Sequence, residues 1–139
     1  MYQKITIIGN LGRDPQTRYT QDGTPVTSFS VATNRRWSKA DGTQGEQVVW
    51  FRVSAWRKLA ETCGEYLKKG RQVLVEGRLK PDPDTGGPRV YQRNDGSAGA
   101  QYEITALSVR FLAGNGAPTA GQSETSPADV LEEGSEILF

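Results

Sequence analysis

Apolar and polar residues alternate along much of the first 112 positions, which is the period of a half-buried β-strand. Ile5 and Ile7, for example, share one side of the first alternating run, and Thr6 separates them. The pattern predicts five strands, at residues 4–9, 26–33, 48–56, 72–80 and 102–112. Gly77 lies inside the fourth run, where it fits a bulge or sharp bend of the kind that closes a small barrel.

One segment has helical spacing instead. Leu59, Cys63 and Leu67 are each four residues apart, and Gly70 follows two lysines as a helix stop signal. The sequence therefore predicts a helix of about ten residues between the third and fourth strands. Three strands, one helix and two strands is the element order of an OB-fold, a five-stranded Greek-key barrel that binds oligonucleotides or oligosaccharides. The helix argues against an SH3-like barrel or a sandwich, so the predicted class is all-β with one short helix.

The third predicted strand has two chemically different sides. Trp50 and Trp56 lie on one side with Arg52 between them, whereas the other side, which begins with Phe51 and Val53, is apolar. At about 3.4 Å per residue, the two indoles are roughly 20 Å apart along the strand. That separation suits two nucleic-acid bases better than one small ligand. Two half-buried indoles that stiffen a barrel are the structural alternative.

Aromatic residues lie next to basic residues in other segments as well. Trp37 follows two arginines and precedes a predicted long loop at 38–46, and Tyr91 lies between two arginines in the Pro/Gly-rich segment 81–99. Binding of single-stranded nucleic acid needs such a mixture, because every base can stack on an aromatic ring and every nucleotide brings a phosphate. A duplex reader needs a helix or ribbon that fits a groove, and an oligosaccharide gains nothing from the cations.

Net charge is divided unevenly along the chain, although its total is only +1. All 17 basic residues lie within residues 1–110 together with 11 acids, which gives this body a net charge of +6. Residues 111–139 contain five acids and no base, a net charge of −5. A basic body favours a polyanionic ligand, and a solvated surface of mixed charge is the alternative.

The composition argues against several function classes. The chain contains no His, which removes His-based catalysis and most zinc sites. Its single cysteine, Cys63, can form no internal disulfide and is expected in the core of a protein from a reducing compartment. No run approaches the roughly 18 apolar residues of a membrane helix, and the first strand begins too early for a signal peptide. We therefore expect no enzyme activity, no metal or other cofactor, and no membrane contact.

Five motifs together resemble the bacterial single-stranded DNA-binding protein (SSB) family: Ile8–Pro15, Phe29–Thr33, Trp50–Val53, Trp56–Glu61 and Tyr66–Gly70. The resemblance covers about residues 1–112. It implies an OB-fold protomer of a homotetramer that coats single-stranded DNA in replication, recombination and repair. It also implies a cytoplasmic, nucleoid-associated protein. An OB-fold replication adaptor and an RNA-binding protein are the alternatives.

The predicted binding residues come from these motifs and from the aromatic–basic neighbours. Base stacking is assigned to Trp37, Trp50, Trp56 and Tyr91, with all three indoles on the ligand face. Phosphate contact is assigned to Lys4, Arg35, Arg52, Arg57, Lys58 and Lys69. Tyr91 stands for the family's fourth stacking aromatic, in a segment longer than the usual family hairpin. A hairpin residue that packs against its own loop is the alternative for Tyr91.

An OB-fold nuclease is a further alternative, and it would need clustered carboxylates to hold metal ions. The candidate aspartates instead lie in turn-like contexts flanked by Gly or Pro, where capping or turn formation is the expected role. They are Asp14, Asp22, Asp41, Asp82 and Asp84.

The C-terminal part divides into two segments. Residues 113–128 are mostly Ala, Gly, Pro, Ser and Thr, and are predicted to form a disordered linker. Residues 129–139 join several acids to a terminal apolar triplet, which predicts a docking peptide for genome-maintenance proteins. The residues assigned to partner binding are Glu132, Glu133, Glu136, Ile137, Leu138 and Phe139. Leu138 stands where the family usually has Pro, and a solubilising tail is the alternative.

Overall fold

Five strands close into a barrel in the computed structural model of the chain, which describes residues 1–112. The elements are β1 (Ile5–Leu11), β2 (Gln16–Tyr19), β3 (Pro25–Ser38), β4 (Gln44–Trp56), α1 (Arg57–Tyr66), β5 (Gln72–Leu79), β6 (Arg89–Gln92) and β7 (Ala98–Phe111). Around the barrel the order is β1-β5-β7-β4-β3, and β3 returns to β1 where Asn10 pairs with Ala32. Only β4 and β7 are parallel among these pairs.

This topology confirms the predicted OB-fold. The helix lies between the third and fourth barrel strands, β4 and β5, as expected. Two short strands were not predicted: β2 pairs with β3, and β6 pairs with β7. Both are only four residues long and have no buried residue, so they carry no alternation of apolar and polar residues that a sequence pattern can detect.

The barrel interior is filled by aliphatic side chains from the five strands and by one side of α1. Strand β4 contributes Val53 and Ala55, which are fully buried. The helix is tied to the barrel wall by the buried hydroxyl of Thr27, which donates to the carbonyl oxygen of Ala60 at 2.6 Å. The core consists of Ile7, Leu11, Phe29, Val31, Val53, Ala55, Leu59, Ala60, Cys63, Leu67, Val73, Val75, Ile104, Ala106 and Val109.

Cys63 lies in this core, as predicted, with no exposed surface. Burial disfavours the charged thiolate and raises the pKa of the Cys63 thiol to about 12. The thiol is therefore protonated at neutral pH, which makes it a packing group.

The predicted irregularity at Gly77 is present. The β5–β7 register shifts between Glu76 and Gly77, and the additional residue lies on β7, where Leu107 has no partner on β5. A Cβ on Gly77 would collide with the carbonyl oxygen of Thr105. The close approach of the two backbones at this corner therefore requires glycine.

The connection between β3 and β4 is shorter than predicted. The expected loop at 38–46 is wrong, because β3 continues to Ser38 and β4 begins at Gln44. The two strands pair along their whole length and leave a turn of only five residues, 39–43. Apart from Trp37, the residues of β3 beyond Asn34 are polar, so alternation gives no signal there. Trp37 consequently lies on a strand.

Three hairpin turns share one geometry and one sequence pattern, Asp-Gly followed by Thr or Ser. Asp22-Gly23-Thr24, Asp41-Gly42-Thr43 and Asp95-Gly96-Ser97 each place the glycine at a φ of 85° to 87°. In each turn the Asp carboxylate accepts hydrogen bonds from a nearby hydroxyl and from the backbone N–H two residues later. The hydroxyl first, and then the backbone N–H, stabilise the charged form and lower the pKa of each of these Asp residues.

Of the remaining aspartates, Asp82 agrees with the expected turn role, whereas Asp14 joins two distant segments of the chain. The carboxylate of Asp14 accepts from the backbone N–H of Lys69 at 2.8 Å, and that of Asp82 accepts from the N–H of Asp84 at 2.8 Å. Within residues 1–112, no three His, Cys, Asp or Glu side chains are grouped as they would be around a metal ion. No helix in this part of the chain is long and apolar enough to cross a membrane. The predicted linker (113–128) and tip (129–139) lie outside the described residues.

Arg57 has an unusual backbone conformation at the junction of β4 and α1. Its φ is 60°, in the left-handed region, and among residues 1–112 it is the one non-glycine residue with a positive φ. For a residue with a Cβ this conformation costs about 1–2 kcal/mol. The strain lies directly between Trp56 and the first turn of the helix.

Replacing Arg57 with Gly should therefore stabilise the folded chain. We expect Arg57→Gly to raise the free energy of unfolding by about 1 kcal/mol, or the melting temperature by about 5 °C, because glycine adopts this φ without strain. Lys58→Gly is the control, since it places glycine at an ordinary helical position and should lower the melting temperature. Calorimetry of the three proteins measures both shifts. An equal or lower melting temperature for Arg57→Gly contradicts the assignment of strain.

Candidate nucleic-acid interface

The outer side of β4 carries two exposed indoles. Trp50 and Trp56 are 52% and 40% exposed, whereas Val53 and Ala55 on the alternate positions are fully buried. The predicted division of this strand into a core side and a solvent side is therefore confirmed. Arg52, half-buried, lies between the two indoles. We call the solvent side of β4 and its neighbouring strands the platform.

A polar cleft lies on the platform between the two indoles. Paired residues on neighbouring strands point to the same side, so Ser28 and Ser30 of β3, which pair with Ser54 and Arg52, lie on the platform too. The cleft is lined by Arg13, Asp14, Gln16, Ser28, Phe29, Ser30, Arg52 and Gln101. Two guanidinium groups with neighbouring hydroxyl and amide donors suit the oxygens of phosphates and base edges.

Sequence reasoning missed most of this cleft. A signal for Ser28 and Ser30 existed, because they alternate with the buried Phe29 in the second predicted strand. No sequence signal connected Arg13 or Gln101 with Arg52. Gln101 reaches the cleft because β7 pairs with β4, and Arg13 reaches it because the segment after β1 approaches β3, where the N–H of Gly12 donates to the carbonyl oxygen of Ser30.

Tyr91 lies on the same side as Arg52. It pairs with Gly99 across β6 and β7, and alternation along β7 puts Gly99 on the side of Glu103, the partner of Arg52 on β4. The Tyr91 ring is 42% exposed, and the guanidinium of Arg93 lies 5.9 Å from its centroid. Tyr91 thus packs within its own hairpin and also lies on the platform side, and its assignment to base stacking stays a prediction.

The β6–β7 hairpin is tied to the platform by an ion pair. The Nη1 atom of Arg89 lies 3.8 Å from the Oε1 atom of Glu103, whose side chain is buried. Arg89 thereby provides a counter-charge for the one buried carboxylate among residues 1–112. The acidic side chain next to Arg52 is therefore compensated locally.

Trp37 lies on the other side of the β3–β4 ribbon. It pairs with Gly45, an odd-numbered position of β4, whereas the platform indoles are at even-numbered positions, and the register is continuous between them. Its ring is 39% exposed, with the guanidinium of Arg35 at 5.5 Å from the centroid. The register therefore puts Trp37 on the opposite side of the ribbon from Trp50 and Trp56, and its assignment to base stacking stays a prediction.

The predicted cations lie in several parts of the structure. Arg52 lies within the platform, and Arg57 and Lys58, both exposed, begin the helix directly after Trp56. Lys4 lies elsewhere: its ammonium group is 2.5 Å from a carboxylate oxygen of Glu76, where β1 pairs with β5. The hydrogen bond from this ammonium group to Glu76, together with the charge of Glu76, raises the pKa of Lys4.

Of the two further predicted cations, Lys69 lies beside the cleft and Arg35 lies on the extended ribbon. The backbone of Lys69 is held by Asp14, next to the cleft residue Arg13, and its side chain is exposed. Arg35 accompanies Trp37 on the other side of the ribbon. Arg52, Arg57 and Lys58 are therefore neighbours of the two platform indoles along the chain, whereas Lys4 lies at a different pair of strands.

Comparisons with known proteins agree with this geometry. Residues 2–112 match the Single-strand binding protein family. The chain is 40% identical over 131 residues to the single-stranded DNA-binding protein of Neisseria meningitidis serogroup A, covering 94% of this chain and 67% of that protein. It is 42% identical over 113 residues to the protein of that name from Xanthomonas axonopodis pv. citri, covering 81% and 59%.

Two solved structures are similar as well. A Plasmodium falciparum SSB in complex with ssDNA matches with a TM-score of 0.65 and 26% identity, over 81% of this chain and 96% of that one. A small single-stranded DNA-binding protein from Streptomyces coelicolor matches with a TM-score of 0.64 and 28% identity, over 79% and 94%. With the barrel and its platform, these matches show that the chain belongs to the single-strand binding protein family.

Proposed function

We propose that this chain binds single-stranded DNA without strong sequence preference and protects it during replication, recombination and repair, without catalysing a reaction. The observation that carries the proposal is the platform, on which Arg52 lies between two exposed indoles at the surface of an OB-fold barrel. Family membership supports it, since the similar proteins are single-stranded DNA-binding proteins and one is described in complex with ssDNA.

The platform provides both interactions that a non-specific single-strand binder needs. Each exposed ring offers a surface for one base, and a stacked base contributes roughly 1–3 kcal/mol whatever its identity. Arg52 and Arg13 in the cleft provide positive charge for the phosphates between the stacked bases. Because Trp50 and Trp56 are roughly 20 Å apart along β4, they would hold two separate bases, with the intervening nucleotides over the cleft.

The position of Trp37 suggests the path of the strand. Trp50, Trp56 and Tyr91 lie on the platform, whereas Trp37 lies on the other side of the β3–β4 ribbon. A single strand that contacts all four rings must therefore pass around the edge of that ribbon. Arg35 would accompany it there, and Arg93 would accompany it beside Tyr91.

Trp50 allows the clearest test of base stacking. We expect Trp50→Ala to weaken binding of an unstructured single-stranded DNA by about 5- to 150-fold, the loss of one base–aromatic stack. Trp56 is less suitable, because it pairs with the fully buried Val26, and its removal would uncover an apolar residue. Fluorescence anisotropy of a labelled oligonucleotide measures the affinity, with RNA and duplex DNA of equal length as competitors.

The control for this test is Tyr19→Ala. Tyr19 is an exposed aromatic residue of β2 that pairs with Pro25 of β3. Pro25 precedes Val26, the partner of Trp56, so alternation puts Pro25 and Tyr19 on the opposite side of the sheet from Trp56. Its replacement should leave affinity unchanged. If Trp50→Ala unfolds the barrel, or if it binds DNA as well as the parent chain, Trp50 is a structural residue. Stronger competition by RNA than by DNA would favour the RNA-binding alternative.

Phosphate contact predicts a specific dependence on salt. Each phosphate neutralised on a single strand contributes about 0.7 to the slope of log affinity against log salt concentration. Replacing Arg52, Lys58 and Lys69 together with Gln should therefore reduce the magnitude of that slope by about 2. Arg110→Gln, on the part of β7 that pairs with β5, is the control and should not change it. A slope that is unaffected by the triple replacement shows that these cations do not contact phosphates.

We propose that the chain acts in the cytoplasm, associated with the nucleoid, as a homotetramer. The interface would use the barrel edges and the segment Met1–Thr6, in which Met1 and Tyr2 are exposed apolar residues. Lys4 belongs to this segment, and its assignment to phosphate contact requires it to leave Glu76 when DNA binds. A mass of one 15.2 kDa chain by light scattering at micromolar concentration would contradict the tetramer.

The C-terminal tip would recruit other proteins to the coated DNA. Its sequence joins acids to a terminal Ile137-Leu138-Phe139, a combination that suits an apolar pocket with a basic rim. Phe139 and its carboxylate would enter the pocket, and Glu132, Glu133 and Glu136 would steer the approach. A tetramer offers several copies of the tip, which would raise the avidity for one partner surface.

Deletion of Phe139 tests the docking role. We expect the deletion to abolish most capture of helicase, nuclease or recombination-mediator proteins from the native cell extract, because the apolar anchor is lost. Affinity for single-stranded DNA should stay the same, since this deletion leaves all five acids of the tail in place. Deletion of residues 113–139, which removes a net charge of −5 next to a body of +6, should leave that affinity unchanged or raise it slightly. Recovery of the same proteins with and without Phe139 would show that the tail only aids solubility.

A further inference from the structure

Two of the four aromatic rings assigned to base stacking lie directly across from a glycine. Trp37 of β3 pairs with Gly45 of β4, and Tyr91 of β6 pairs with Gly99 of β7. Both pairs occur in hairpins that extend beyond the barrel. Gly45 and Gly99 are buried, although the residues on either side of them are exposed.

The rings occupy the space that a side chain would need at these glycines. A Cβ on Gly45 would be 2.7 Å from both Cζ2 and Nε1 of Trp37, and still closer to Cε2. A Cβ on Gly99 would be 2.8 Å from Cζ and 3.0 Å from Oη of Tyr91. Carbon atoms in contact are normally about 3.5–4.0 Å apart, so neither ring can keep its position above a larger residue.

Backbone conformation does not explain these glycines. Gly42 and Gly96, in the turns of the same two hairpins, have φ angles of 85° and 87° that require glycine. Gly45 and Gly99 are not among the residues with positive φ, and both lie within paired strands. Glycine in a strand normally weakens it, and a close approach by another group is one established reason for its presence. Here the approaching group is the aromatic ring.

We propose that Gly45 and Gly99 are positioning residues for DNA binding, because each lets an aromatic ring pack one side on the backbone of its hairpin. The guanidinium of Arg35 lies over the Trp37 ring and that of Arg93 over the Tyr91 ring, so a base that stacks on the remaining side displaces the arginine toward the phosphates. This inference rests on the proposed single-stranded DNA binding. It implies that each ring is already oriented in the free protein, so little ordering accompanies stacking. It also implies one stacked base per ring, since the side packed on the backbone is occupied.

A merely structural role makes a different prediction. An aromatic ring over a strand glycine can stabilise a hairpin by covering its backbone, with no consequence for a ligand. In that case Gly45→Ala would lower the melting temperature but would leave the affinity of the folded chain for single-stranded DNA unchanged. A role through the ring requires that the effect on affinity vanish when the ring is absent.

The experiment is a double-mutant cycle on Gly45 and Trp37. We expect Gly45→Ala to weaken single-stranded DNA binding about fivefold, the low end of one lost stack. In the Trp37→Ala background the same replacement should have no effect. Gly87→Ala is the matched control, because Gly87 has no positive φ and the nearest atom to its Cβ would be Thr85 Oγ1 at 3.7 Å.

A second readout reports the ring itself. With Trp50 and Trp56 replaced by Phe, Trp37 is the one remaining indole of the chain. Gly45→Ala should then increase quenching of its fluorescence by acrylamide and reduce its steady-state anisotropy, because a displaced ring is more accessible and more mobile. Gly87→Ala should change neither quantity.

Each outcome decides between the proposals. A fivefold loss in both backgrounds, or none with Trp37 present, overturns positioning by Gly45 and leaves single-stranded DNA binding intact. If the parent chain does not bind single-stranded DNA, the proposed function itself fails, whereas the fluorescence change still tests the contact. If Gly45→Ala does not fold, the same cycle with Gly99→Ala and Tyr91→Ala decides.

Discussion

The register of β4 is the constraint on which the rest of this structure depends. One strand has to place Val53 and Ala55 in the barrel core and Trp50 and Trp56 in solvent, and alternation allows both only if the pairing is kept without a slip. A shift of one residue would bury two indoles and a guanidinium and would expose the core. Antiparallel pairing with β3 on one side and parallel pairing with β7 on the other hold that register. The binding surface and the hydrophobic core are thus two consequences of one alignment.

Glycine serves two separate purposes in the hairpins that extend from this barrel. The Asp-Gly turns use it for a backbone conformation, as at Gly42 and Gly96, and the Asp carboxylates close those turns with hydrogen bonds. Within the paired strands, Gly45 and Gly99 instead make room for a ring. The same residue type therefore ends the ribbon at one position and shapes its surface at another. Only the φ angle and the neighbouring atoms distinguish the two roles.

Much of the candidate site could be predicted from the sequence, because it rests on a single strand. Alternation in residues 48–56 is a local property, and it correctly separated the indoles from the core. The omissions concern residues whose surroundings come from distant parts of the chain. The side of the ribbon that carries Trp37 was not predicted because the polar end of β3 hides the strand period, and the ion pair of Lys4 with Glu76 was not predicted because β5 is far along the chain. The cleft around Arg52 was missed, since its other walls come from β3 and β7.

The sequence by itself determined the order of the five barrel strands and the helix, the OB-fold, the core face of each long strand and the burial of Cys63. Those features depend on the spacing of residues a few positions apart, and apolar burial acts on such spacing directly. Tertiary structure alone decided which side of the ribbon carries Trp37, how far the hairpins extend, and that Tyr91 shares the platform with Arg52. These outcomes depend on pairing between strands far apart in the chain, where registry is set by closure of the whole barrel and cannot be read from any one segment.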